Sequence, residues 1–413
     1  MKIQKPKGTL DLLPGDVYKR RHIEEKLRNI SSLFNYSEIR TPTFEKTELF
    51  KRSIGEETDV VSKEMYSFNK DEFTLKPEMT APVIRSYVEN NLNNESPVQK
   101  LYYIANMYRH ERPQAGRFRE FSQFGVEAIG SNDYLIDAEL ISLGAFMLNE
   151  FGIHNVKIKI NTIGTIEERE KYLGSLKDYL KNHYEKLSPD SKNRFENNPL
   201  RILDSKDKND IEVLTNAPLL YDYLNEDTKS HFLNVLDALK SLGINYEIDY
   251  KLVRGFDYYT STTFEVVSDD LGSQNAIFGG GRYDKLVEQL GGNPTPAIGF
   301  ACGLERLSMI LDKYNYEYPK DENVKLYIVT IGTSSRDFAL KMLYELRKKN
   351  IKSETDYLNR SVKAQMKEAN KINAKYVMVI GDEELTNQKA KLKNMSDGIE
   401  KEIELNQITD FEF

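Results

Sequence analysis

The sequence predicts an α+β core built on an antiparallel sheet flanked by helices, with a helical insertion and a C-terminal α/β domain containing a mixed sheet. Three observations predict it. Residues 101–107 and 121–129 are two runs rich in strand-forming residues, joined by a turn-forming stretch with Pro113 and Gly116, and so read as one long antiparallel hairpin. Residues 167–242 are polar with short apolar stripes, broken at Pro189, Pro199 and Pro218, and show no strand alternation. From Val324 onward, strand-like and helical runs alternate. The expected boundaries are a core over 1–323, interrupted by an insertion over 167–242, and a C-terminal domain over 324–413. A chain of 413 residues is too long for a single core.

Composition narrows the function classes. Charged residues make up 30% and hydrophobic ones 39%, with no apolar run of membrane-spanning length and no charged-then-apolar leader after Met1. A soluble cytoplasmic protein is expected. The lone Cys302 excludes an internal disulfide framework, and the five histidines lack ligand spacing, so no protein metal site is assigned. The net charge of −7 argues against indiscriminate nucleic-acid binding, DNA included. It is unevenly spread. Residues 324–413 hold 16 Lys and Arg against 14 Asp and Glu, or +2, which leaves −9 for the rest and permits a local RNA-binding face.

Taken in order, residues 1–15 form a loop with Pro6, Gly8 and Pro14, and residues 16–34 an amphipathic helix capped by Asp16. Pro42 removes a ladder donor and belongs at a strand edge or kink. Two short strands, EMYSF and EFTLK, are joined at Asn69-Lys70-Asp71, and Pro77 opens a helix. Glu78 in that first turn is either a cap favoured by the helix dipole or, with Thr80, an acceptor for a substrate ammonium. In the hairpin, Arg109, Arg112, Arg117 and Arg119 gather around a loop and suit a polyphosphate. Phe121, Gln123 and Glu127 share one strand face, and the ring of Phe121 offers a flat surface to a base. A helix over 133–151 and a strand over 156–161 precede the insertion.

The sheet is expected to resume as a strand over 251–259, followed by a strand over 263–267. Arg254 in this apolar run needs a partner or a ligand, while Tyr258 and Tyr259 either line a pocket or fill the core. Gly279, Gly280 and Gly281 either let a ligand approach the backbone or make a turn. Residues 299–311 read as a strand-to-helix transition that places Arg306 on a first turn, where the dipole also favours phosphate. A polar linker over 313–323 leads into the last domain.

Several stretches together resemble one family. RHERPQAGRFREFSQFGVE (109–127) is similar to motif 2 of class II aminoacyl-tRNA synthetases, and in wording to the histidyl-tRNA synthetases. LVRGFDYYT (252–260), NAIFGGGRYD (275–284) and the opening KPKGTLDLLPGD resemble that same family. GFACGLER (299–306) resembles motif 3, and EIRTPTF (38–44) resembles motif 1. The resemblance covers essentially the whole chain, and residues 324–413 resemble the anticodon-binding domain of class IIa enzymes. Two positions depart from the family: Met79 stands where it often has Gly, and Lys76 where it often has Arg.

The resemblance implies a ligase that activates L-histidine with ATP and charges tRNA(His), working as a homodimer through motif 1. It places Arg109 on the α-phosphate, Arg306 on the terminal phosphate, Phe121 against adenine, and Glu111 and Arg117 with the nucleotide. Arg254 belongs to the reacting region and shares the catalytic role with Arg109. The substrate ammonium falls to Glu78, Thr80 and Gln123, and the imidazole to Glu127 and Tyr259 beside Tyr258. Arg112 and Gln114 would face the tRNA acceptor end, and Mg²⁺ would be held through the ATP phosphates. The chemistry agrees: activation concentrates negative charge at phosphorus and calls chiefly for positioned cations. The sequence has no GxSxG and no HExxH. The alternative is the synthetase-like regulatory subunit of ATP phosphoribosyltransferase. Those relatives lack the C-terminal domain and depart in LVRGFDYY.

Overall fold

A computed structural model describes residues 3–55, 58–114, 116–271, 275–319 and 323–413. The chain divides into two units, Met1–Tyr318 and Pro319–Phe413.

The first unit opens with α1 (Pro14–Leu33). Its N-cap is Leu13, with proline in the first helical position, so the helix starts ahead of the expected Asp16 cap and leaves Asp16 in the first turn. β1 (Ser37–Glu38), β2 (Phe44–Lys46), α2 (Thr47–Ile54), β3 (Tyr66–Phe68) and β4 (Phe73–Leu75) follow. Asn69, Lys70 and Asp71 turn the chain between β3 and β4 with positive φ at all three, and β2, β4 and β3 form a small sheet. α3 (Thr80–Glu89) begins three residues beyond Pro77, later than the proline suggests. Next come the hairpin strands β5 (Gln99–Tyr108) and β6 (Glu120–Ile129), then α4 (Tyr134–Glu150) and β7 (Lys157–Thr162).

The helical stretch contains α5 (Ile166–Asn182), α6 (Pro189–Asn197), α7 (Lys208–Leu214) and α8 (Glu226–Ser241). β8 (Glu247–Ile248), β9 (Thr260–Val267), β10 (Ala276–Arg282), α9 (Leu286–Gln289), β11 (Ala297–Gly303) and α10 (Leu304–Lys313) complete the unit. Two expectations are corrected here. Residues 251–259 are loop and turn rather than strand, because their main chain is engaged by Asn161, Ile54 and Arg169 instead of a neighbouring strand. The three glycines lie inside β10 rather than at a turn.

The large sheet runs β1-β5-β6-β11-β10-β9-β7-β8. Its six middle strands are antiparallel, and the two-residue edge strands β1 and β8 pair in parallel. Strand alternation then separates two chemistries. One face carries Phe124, Phe264, Phe278 and Phe300, all buried in the main core. Burying each such ring contributes about 1.5–3 kcal/mol, which offsets the cost of keeping the opposite face polar. That face presents Phe121, Gln123 and Glu127 from β6, Gly299 and Gly303 from β11, Gly279 from β10 and Glu265 from β9.

α8 belongs to this core rather than to a separate helical body. Phe232, Val235, Leu236 and Leu239 pack into the same cluster as the four sheet phenylalanines. A buried charge pair adds to the attachment: Arg282 on β10 donates to Asp137 on α4, which also accepts from Thr262 (2.7 Å) and meets His231 Nε2 of α8 at 3.0 Å. Removing one partner of such a pair costs about 3–5 kcal/mol.

The second unit holds β12 (Leu326–Thr330), α11 (Thr333–Lys348), β13 (Ser353–Thr355), α12 (Val362–Lys371) and β14 (Tyr376–Ile380). α13 (Asp382–Asn387), β15 (Lys389–Asn394) and β16 (Glu400–Glu404) finish it. The sheet order β13-β12-β14-β15-β16 is mixed, with three parallel strands followed by two antiparallel ones. Residues 320–322 of the expected linker lie outside the described residues. Ahead of them, Tyr316 and Tyr318 pack edge to face at 5.0 Å, and both rings lie 5.9 Å from that of His22 on α1.

Candidate active site

A cavity of about 950 Å³ opens on the polar face of the large sheet. Its floor comes from the β5–β6 hairpin, in which Met107 pairs with Phe121, Ala105 with Gln123 and Leu101 with Glu127. Small neighbours on the other side keep this floor open, since Gln123 pairs with Gly303 and Glu127 with Gly299 of β11. A Cβ on Gly299 would come within 1.7 Å of Glu127 Oε2, so only glycine leaves room for that carboxylate.

Phe121 and Gln123 face the cavity, and the buried Oε1 of Gln123 has no partner among the described residues. A buried acceptor without a donor points to a ligand. Glu127 sits deeper, only 1% exposed. Thr80 Oγ1 donates to its Oε1 at 2.9 Å, and the Tyr283 hydroxyl donates to its Oε2. Burial pushes the Glu127 carboxyl up to about 8, outweighing those two hydroxyl donors. Tyr283 stands in the NAIFGGGRYD stretch, but its role depends on where the chain turns after β10.

Glu78 resolves to the capping alternative while still lining the cavity. Its carboxylate accepts from the amides of Thr80 (2.8 Å) and Ala81 (2.9 Å) at the start of α3. Burial raises its pKa, and those two amides hold it back. Each oxygen keeps a second lone pair, so capping does not exhaust the group.

The arginines converge from three segments: the hairpin, the 252–259 loop and α10. Arg109 Nε donates to the Pro77 carbonyl at 2.8 Å, and its guanidinium lies 5.3 Å from the ring centre of Phe121 and 5.7 Å from that of Phe256. Arg306 Nη1 donates to the Ala276 carbonyl at 2.9 Å, and burial followed by the charge of Arg117 lowers its pKa. Arg117 pairs with Glu111 at 3.3 Å. Burial raises the Glu111 carboxyl, and Arg117 and Arg109 oppose that rise.

Arg254 projects from the 252–259 loop onto Gly279, where a Cβ would come within 2.7 Å of its Nη1. That nitrogen donates to Glu265 at 2.7 Å, the guanidinium lies 5.9 Å from the ring centre of Tyr259, and Nε has no partner among the described residues. Burial works against the charge, but Tyr259 and Glu265 prevail and raise the pKa. Tyr258 and Tyr259 lie with ring centres 4.7 Å apart on the same wall. Arg112 and Gln114 are exposed on the hairpin loop and do not line the cavity.

Four contributors went unassigned in the sequence. Glu265 was findable as a lone charge alternating with Phe264 and Val266 on β9. Glu305 joins the wall, accepting from the Ser122 amide at 3.0 Å and pairing with Arg20 at 2.8 Å. Asn193 and Arg201 reach the same cavity from the helical stretch, where no pattern in the sequence marked them.

Residues 8–307 match the family described as histidyl-tRNA synthetase, and residues 325–411 match the anticodon binding domain. A histidine–tRNA ligase of Clostridium novyi (strain NT) is 47% identical over 412 residues, 99% of this chain and 98% of the relative. One from Halothermothrix orenii is 48% identical, covering 98% of this chain and 97% of its own. The crystal structure of apo S. aureus histidyl-tRNA synthetase superposes with a TM-score of 0.83 at 39% identity, over 99% of both chains.

Proposed function

The chain belongs to the histidyl-tRNA synthetase family, and we propose on that premise that it is a histidine–tRNA ligase. It joins the carboxylate of L-histidine to the α-phosphate of ATP, releases pyrophosphate, and passes the histidyl group to the 3′ end of tRNA(His). One observation carries the reading: Arg109, Arg254 and Arg306 converge on the same cavity as Glu78, Thr80 and Gln123.

Adenylation concentrates negative charge where the carboxylate meets phosphorus, and cations held in place stabilise it without reorganising. Arg109, anchored through Nε, keeps both terminal nitrogens for the α-phosphate. Arg254 holds the two reacting anions together. Arg306 takes the terminal phosphate, with Arg117 and Glu111 beside the nucleotide, and Phe121 offers its ring to adenine. The partnerless oxygen of Gln123 joins Glu78 and Thr80 as acceptors for the substrate ammonium. Glu127 and Tyr259, with Tyr258 alongside, meet the donor and acceptor of the imidazole.

Mg²⁺ enters this reading on the ATP phosphates. The wall carboxylates Glu111, Glu265 and Glu305 are each paired with an arginine, which fits a cation held mainly by the nucleotide. Arg112 and Gln114, outside the cavity on an exposed loop, are assigned to the acceptor end of the tRNA, and the C-terminal unit to its anticodon. A homodimer is supported by the exposed Phe44 and Phe68, whose rings meet at 5.8 Å on the small sheet near motif 1. No helix among the described residues is long and apolar enough to cross a membrane. The free thiol of Cys302 fits a reducing cytoplasm.

ATP–pyrophosphate exchange tests the reading. Exchange should depend on histidine and on no other amino acid. A folded protein that shows no histidine-dependent exchange would sink the ligase assignment in favour of a regulatory, non-catalytic role.

A further inference from the structure

The helical stretch packs into one core with the catalytic sheet, and its two chain ends meet at a neck. Glu168, on the first turn of α5, is 5% exposed. Its carboxylate accepts from the amide of Thr165 (2.7 Å), where the chain leaves the sheet, and from the amide of Asn225 (2.8 Å), at the cap of α8. Thr228 adds a third donor at 3.2 Å. One side chain therefore closes both ends of the stretch that contains α5, α6 and α7.

The next residue reaches the other way. Arg169 Nη1 donates to the main-chain carbonyl of Tyr259 at 2.8 Å. Burial works against the charge of this guanidinium, and Asp257 offsets part of that cost. Its target is the last residue of the 252–259 loop, which carries Arg254 and both pocket tyrosines. That loop has no strand pairing; its side chains Val253, Tyr258 and Tyr259 pack into the core, and its main chain is held by individual hydrogen bonds. Asn161 donates to the Leu252 carbonyl at 3.0 Å, the Asp257 amide donates to the Ile54 carbonyl at 3.2 Å, and Arg169 holds the Tyr259 end. Midway along the loop, Arg201 Nη1 lies 3.7 Å from where a Cβ on Gly255 would stand. The helical stretch thus meets the loop at two separate points.

We propose that Arg169 is a positioning residue for amino-acid recognition: from the neck of the helical stretch it fixes the Tyr259 main chain, and hence the imidazole side of the pocket. The proposal rests on the assignment of Tyr259 to the histidine pocket. The nucleotide contacts Arg109, Phe121 and Arg306 are carried by the hairpin and α10, outside that loop.

The test measures KM for histidine, KM for ATP and kcat in the exchange reaction, with melting temperatures, for the wild type and Arg169→Ala. Losing one charge-assisted hydrogen bond to a carbonyl should raise the histidine KM by about tenfold or more, with the ATP KM within about twofold of wild type. Arg169→Lys should recover part of the loss, because an ammonium can still donate to that carbonyl. Arg169→Gln serves as the measured variant if the alanine protein melts below the assay temperature. A role confined to bracing the neck predicts a lowered melting temperature with both KM values unchanged, and that result would overturn the proposal. Equal rises in both KM values would overturn it too. Absence of exchange in the wild type would instead remove the ligase reading, and this proposal with it.

Discussion

Arg254 and Glu265 form an ion pair of 2.7 Å across the cavity wall, one from a loop and the other from strand β9. In the absence of substrate the pair gives the guanidinium the anion that its burial demands. During adenylation two anions must be held together at the same place, and a planar fork can bridge them.

Arg254→Ala is therefore expected to lower the adenylation rate by roughly 10²-fold or more, the scale of losing one oxyanion donor. The histidine KM should change less, and Arg254→Lys should restore only part of the rate. Single-turnover rates and melting temperatures on one preparation decide the matter. A normal rate with a lowered melting temperature would make the residue structural.

Two adjacent glycines of β10 should behave differently. At Gly279 an added Cβ meets the far end of the Arg254 side chain at 2.7 Å, whereas at Gly280 it meets the Gly299 carbonyl at 2.0 Å. Gly279→Ala should keep the fold and lower kcat by roughly tenfold to 10²-fold, as expected when a catalytic group is misplaced by about an ångström. Gly280→Ala forces two strands apart, should cost about 1–3 kcal/mol or more, and should show as a loss of melting temperature. Similar melting temperatures for the two variants would contradict this account.

Glu127 predicts a pH dependence whose sign follows from its environment. Burial holds its carboxyl up at about 8, so between the ordinary carboxylate value and about 8 the folded chain carries a proton that the unfolded chain lacks. The group's contribution to stability is thus complete at low pH and is lost as pH rises through about 8. The melting temperature of the ligand-free protein should fall along that range, and Glu127→Gln should flatten the slope. Parallel profiles for the two proteins would show that Glu127 is ionised in the fold.

Removing residues 319–413 should weaken tRNA charging far more than histidine-dependent exchange, because no arginine of the cavity comes from that unit. Sedimentation would establish whether the truncated protein keeps its oligomeric state. Equal losses in both assays, in a folded protein of unchanged size, would refute the assignment of the C-terminal unit to tRNA.

Much of the framework was legible in the chain itself. The hairpin was readable because its residues alternate: Phe124, Val126 and Ala128 point one way and Phe121, Gln123 and Glu127 the other. The strand over 376–380 shows as a short continuous apolar run and that over 389–394 as an alternation of charged and apolar residues, signals that lie within a few neighbouring residues. The 252–259 loop was misread as a strand because Leu252 and Val253 are apolar, and local pattern cannot tell a buried loop from a buried strand.

Residue order alone determined the alternation of the hairpin and the cluster of arginines at its turn, because each depends on a spacing of a few residues. Tertiary structure alone decided which partner each polar group has. Glu78 caps α3, Glu265 answers Arg254, Tyr283 closes on Glu127, and Arg169 reaches Tyr259 across 90 positions of chain. The reason is physical: a buried charge takes its partner and its proton affinity from whatever packing brings within about 3–4 Å. That neighbour can come from anywhere in the sequence.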